Sequence, residues 1–98
     1  MRLSLTSLAI VASFALAQTG WAYTGQSLSR RAHISMARAS AIALHARHGR
    51  VTDRELEREL GGSGLRYSFD IRSRGITYEV GVDARTGRVL ENHREDSD

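Results

Sequence analysis

Between residues 65 and 90 the chain alternates apolar and polar side chains almost without fault. Leu65, Tyr67, Phe69 and Ile71 are interleaved with Arg66, Ser68, Asp70 and Arg72; Ile76, Tyr78, Val80 and Val82 with Thr77, Glu79, Gly81 and Asp83. A period of two predicts strands with one dry and one wet face, and the β-branched and aromatic types suit a half-buried pleated surface. Ser73-Arg74-Gly75 separates the runs, with Gly75 able to take a reversal's positive φ. Folding there sets Ile71 against Ile76, Phe69 against Tyr78, Tyr67 against Val80 and Leu65 against Val82. A slip of one residue would turn one strand's apolar side to water. In this register Asp70 and Glu79 share the wet face but are not opposite one another. In the second turn, Asp83-Ala84-Arg85-Thr86-Gly87, Asp83 can accept from turn amides and Gly87 can be left-handed. Arg88 to Glu91 then returns as a third strand; which of Val89 and Leu90 faces the core depends on a bulge.

Ser35 to His48 has a helical pattern. Ser35 can cap the N-terminus, Ala39, Ile42, Ala43 and Ala46 form one stripe of mostly small residues, and Gly49 stands in a C-cap position. His45, Arg47 and His48 suit the negative end of the helix dipole. Val51 to Leu60 is ambiguous. Thr52 with Glu55 forms a capping box and Val51 with Leu56 a staple, which locally predicts a short helix; a strand here would be charged and suited to a sheet edge. Gly61-Gly62-Ser63-Gly64 reads as a connector, lacking the Lys and following helix of a phosphate cradle.

Residues 1–22 have the organisation of a secretory signal: Arg2, an apolar run centred on Leu8 to Phe14, and small-residue cleavage patterns ending at Ala17 and Ala22, the second leaving a better spacer. The apolar run is short for a spanning helix, so membrane attachment would come only through an uncleaved signal. The predicted address is periplasmic or secreted. Residues 23–33 are polar and aperiodic, a flexible lead-in, and residues 93–98 are a charged, frayed tail. The chain has no cysteine, which removes disulfides and thiolate metal sites. All its cations are arginines, for a formal charge of +3. They are scattered among carboxylates, which argues against a nucleic-acid stripe.

Candidate chemistry is sparse. No nucleophile–base pair, HExxH run or Walker loop occurs, so neither enzyme activity nor a cofactor is expected. Asp70 and Glu79 read as solvated neighbours of Arg66 and Arg72 rather than as a catalytic pair. His45 and His48, three apart on one helix, could share a metal with His33 or His93, but two ligands make a weak site.

Ile34-Ser35 with Ala39, Ile42 and Ala43, then Gly49-x-Val51 before Glu55-Leu56-Glu57, Tyr67-Ser-Phe-Asp-Ile71, and above all YEVGVDARTGRVL from Tyr78 to Leu90, resemble the PepSY family over about residues 34–92. The resemblance implies an α+β fold, one N-terminal helix packed on one face of a small antiparallel meander of three to four strands. It also implies that Val51 to Leu60 is the first strand, and that Asp83, Thr86 and Gly87 are structural motif residues. PepSY domains occur in propeptides of secreted peptidases, so the implied function is a non-catalytic module that inhibits or modulates a peptidase. No peptidase domain follows here, so the expected target is a separate molecule. An extended partner segment would add to an open sheet edge, with Arg66, Ser68, Asp70, Arg72, Thr77 and Glu79 giving polar selectivity. The alternative is an envelope metal or signal sensor using the helix histidines.

Overall fold

The computed structural model describes residues 22–95, so the signal-like segment lies outside the described residues except for Ala22, as do the last three residues of the tail. Four strands, β1 (Arg50–Arg58), β2 (Leu65–Ser73), β3 (Ile76–Asp83) and β4 (Val89–Arg94), form an antiparallel meander in chain order. One helix, α1 (Met36–Ala46), covers one face of it. Leu56, Leu65, Tyr67, Phe69, Ile71, Val80 and Val82 are buried with Ala39 and Ala43 of α1. This is the expected α+β architecture, and the alanines let helix and sheet approach closely. Tyr67 Oη donates to the Ile34 carbonyl at 2.8 Å, satisfying the hydroxyl of a buried ring just before the helix starts.

The β2–β3 register differs from the expected one by two residues: Ser73 pairs with Ile76, Ile71 with Tyr78, Phe69 with Val80 and Tyr67 with Val82. A shift of two preserves which side chains face the core, so alternation could not detect it. The turn decides. Arg74 and Gly75 both have positive φ, 53° and 79°, as a two-residue type I′ hairpin requires.

In β1 the local capping-box reading gives way to the strand that the resemblance implied. The motif on Thr52 is not used for capping. Thr52 sits where the register shifts between Val51 and Asp53, its hydroxyl donating to the Asp70 carbonyl. Pairing with β2 and complete burial of Leu56 outweigh a capping box worth about 1 kcal/mol. A period-two signal was present here: Asp53, Glu55 and Glu57 alternate with Arg54, Leu56 and Arg58.

Helix α1 begins as predicted, Ser35 Oγ accepting from the Arg38 amide at 3.1 Å. It ends at Ala46 rather than His48. Arg47 is the extended C-cap, and Gly49, expected in that role, lies two residues beyond it. Asn92 of β4 supplies the cap from outside, its Nδ2 donating to the Ala46 carbonyl, while its Oδ1 accepts from Arg47 Nε at 3.0 Å. The Arg47 guanidinium stacks 3.8 Å above the Tyr78 ring. The bulge in β4 falls between the partners of Gly81 and Val82, which puts Val89 opposite Val82 on the helix side and leaves Leu90 to lie against Gly62.

Residues 23–33, expected to be a flexible lead-in, form structure. Thr24 bridges to Glu55 and its carbonyl accepts from the Leu56 amide at 2.9 Å; a 3-10 helix follows at Gln26–Arg31. Gly25 makes the approach possible, because a Cβ there would overlap the Leu56 carbonyl. His33 and Ile34 then donate their amides to the Ala84 carbonyl. Backbone bonds hold the segment together with Tyr23, Leu28 and Ala32, which pack partly buried against the core at spacings that match neither a helix nor a strand.

Candidate functional site

The helix covers one side of the sheet. The other side is crossed by rows of neighbouring residues: Asp53, Asp70, Glu79 and His93 in one, Glu55, Ser68, Gly81 and Glu91 in the next, and Glu57 beside Arg66 in the third. The two-residue shift in register therefore corrects the expectation about Asp70 and Glu79. They are direct cross-strand partners.

This crowding shows in the titration of the face. Burial, then Glu95, Asp53 and Glu55, raise the Asp70 carboxyl above its ordinary range. Burial also leads for Glu79, with Glu91, Asp70 and Glu95 adding to it against the opposing pull of His93. Glu57 is raised as well, chiefly by burial, although its Oε2 accepts from Ser68 Oγ at 2.8 Å. The His93 imidazole is raised because the Arg94 carbonyl and the Glu91 carboxylate both hold its protonated form.

The expected partner-binding residues divide into two groups. Arg66 and Ser68 are buried and take their partners from within the molecule. Arg66 Nη1 meets Glu91 Oε2 at 2.9 Å, passing over Gly81, whose missing Cβ leaves the space, and Nη2 meets the Leu60 carbonyl at 2.9 Å. Asp70, Arg72, Thr77 and Glu79 remain at or near the surface, with Arg72 Nη1 donating to Thr77 Oγ1. Sequence reasoning missed Arg66 as an internal group, since an alternating pattern assigns every polar position of a strand to water. A glycine on the neighbouring strand, Gly81, was the hint of room for a buried guanidinium.

Two edges bound this face. The middle of β1 is occupied by Thr24, whereas β4 pairs only with β3 among the described residues. The histidines do not assemble: His45 and His48 are exposed, and among the described residues neither belongs to a group of three potential ligands. Such a group is formed instead by Glu79, Glu91 and His93, whose ligand atoms lie within 4.8 Å of one another. Both imidazole nitrogens there already face oxygen acceptors, so a cation would have to displace a held proton.

The motif turn is built as expected. Asp83 is 1 % exposed; Oδ1 accepts from the amides of Arg85 and Thr86 and from Ser63 Oγ, and Oδ2 accepts from the Ser63 amide at 2.6 Å. Gly87 has φ 81° and donates to the Asp83 carbonyl. Burial alone would raise the Asp83 carboxyl, but these bonds outweigh it and hold it far below the usual carboxylate range. Thr86 Oγ1 accepts from the Arg88 amide.

Among the described residues no helix is long and apolar enough to cross a membrane. No curated protein and no solved structure matches the chain. The family model described as "Peptidase propeptide and YPEB domain" matches residues 34–93, which span the helix, all four strands but the last residue of β4, and the Asp83 turn. With more than half of its length matched, and with the fold that the motif residues imply, this chain belongs to the PepSY family.

Proposed function

We propose that the domain is an exported, non-catalytic binding module that inhibits or modulates a separate peptidase of the cell envelope. The observation that carries this reading is the family membership, because peptidase propeptides are where this domain is found. The edge of β4, which pairs only with β3 among the described residues, adds a physical means. An extended segment of the partner would pair with β4, and Asp70, Arg72, Thr77 and Glu79 on the adjoining face would select its polar side chains. The N-terminal segment on β1 favours β4 as the docking edge.

The test is recovery of partners from an envelope extract on the immobilised protein, followed by a peptidase assay on what is retained. The expected outcome is a retained peptidase that loses activity when excess domain is added. Retention of no peptidase, or of one whose activity is indifferent to the domain, refutes the reading.

A further inference from the structure

The connection between β1 and β2 presents the most exposed large apolar side chain of the described residues: Leu60 is 94 % exposed, against 40 % for Val89. A single exposed leucine is ordinary on a protein surface. The loop beneath this one is not. Three of the four residues Gly61-Gly62-Ser63-Gly64 are glycine, which should make it the loosest part of the chain. Instead its backbone is tied at successive points. Arg66 Nη2 holds the Leu60 carbonyl at 2.9 Å, Asp83 accepts from the Ser63 amide and hydroxyl, Arg85 Nη1 holds the Ser63 carbonyl at 2.9 Å, and Gly64 N donates to Gly61 O.

Two of the groups that tie it are charged and out of water. Arg66 is 7 % exposed and Asp83 1 %, and Arg66 Nε is left buried without a partner. Burying charge in this way is costly, and a two-residue turn would have joined the strands without it. Besides their bonds to Glu91 and to the motif turn, both charges fix a backbone whose outermost side chain touches almost nothing of its own molecule.

We propose that the loop is a preorganised anchor and that Leu60 enters an apolar side-chain pocket of the peptidase partner. The inference rests on the peptidase-modulating reading above and specifies how the partner is gripped. One isolated side chain calls for a socket rather than a flat apolar surface, and peptidases carry sockets for single side chains of extended substrates. Because the loop is already ordered, binding loses little conformational freedom there.

The experiment measures inhibition by the full chain, and by its Leu60→Asn and Leu60→Met variants, of thermolysin and chymotrypsin, which take large apolar side chains, and of trypsin, which takes basic ones. Thermal melts accompany each variant. The expected result is inhibition of an apolar-selective enzyme, weakened at least about 10-fold by Leu60→Asn and retained by Leu60→Met, with melting temperatures unchanged and trypsin unaffected. Equal inhibition by the Leu60→Asn variant, or inhibition of trypsin alone, overturns the anchor while leaving a peptidase inhibitor in place. No inhibition of any of the three also overturns the anchor, and the extract experiment then decides separately whether a peptidase is bound at all.

Discussion

Asp83 illustrates how one side chain sets the geometry of two loops. Its carboxylate accepts from Ser63, Arg85 and Thr86, so it fastens the glycine-rich connection to the motif turn. Replacing Asp83 with Ala leaves several donors unpaired inside the protein. Bonds to a charged group are worth about 1.5–3 kcal/mol each in stability, and partial rehydration leaves an expected loss of about 3 kcal/mol, read from urea denaturation. The pH dependence has a definite sign. A carboxyl whose folded pKa is depressed stabilises the fold above the unfolded value, here 3.8, and this stability drains away as pH falls below it. The wild type should therefore lose stability steeply below about pH 4, and the Asp83→Ala variant should show a shallower loss over the same range. Arg66 shows the limit of reading residues singly. Its place in an alternating strand assigns it to water, yet Gly81, distant in sequence, creates the space in which its guanidinium is buried.

At the scale of elements, hairpin register and strand identity were settled by different physics. The faces of β2 and β3 were legible because burying one face requires apolar residues at every second position. The register was not, because all even shifts satisfy that requirement and only the backbone of Arg74-Gly75 chooses among them. An arginine at φ 53° bears a steric cost of about 1–2 kcal/mol. Arg74→Asn should recover part of it, raising stability by roughly 0.5 kcal/mol, whereas Gly75→Ala should cost about 1 kcal/mol or more. Chemical denaturation of both variants checks the pair; an Asn variant less stable than wild type would contradict the type I′ assignment. For β1 the local helix signals were real but weak. The alternation of Asp53, Glu55 and Glu57 with Arg54, Leu56 and Arg58 is the stronger sign, although it is carried by charge more than by hydrophobicity.

At the scale of the molecule, the fold separates charges that are mixed along the chain. The formal charge is +3, yet the helix-free face gathers Asp53, Glu55, Glu57, Asp70, Glu79 and Glu91. Neighbouring like charges oppose folding, and a carboxyl with a raised folded pKa carries that penalty in full at neutral pH. Glu79→Gln should thus raise the melting temperature at pH 7, by an amount on the order of half a kcal/mol in stability. The sign follows from linkage: the folded state holds its proton to higher pH than the unfolded chain, so the penalty vanishes as pH falls below the ordinary value of 4.5. Melts at pH 7 and pH 4 should show the advantage only at the former. An advantage of equal size at both would mean that packing, not charge, governs the position.

The sequence alone determined the helix with its Ser35 cap and alanine stripe, the dry and wet faces of the hairpin, and the Asp83 turn. Each depends on neighbours within a few residues, where periodicity and hydrogen-bonding chemistry act directly. Only the tertiary structure decided the pairing of Asp70 with Glu79, the burial of Arg66, the covering of β1 by Thr24 and the bracing of the Leu60 loop. All four arise between segments distant along the chain, where the space left by one strand and the bonds offered by another outweigh what either segment would do alone.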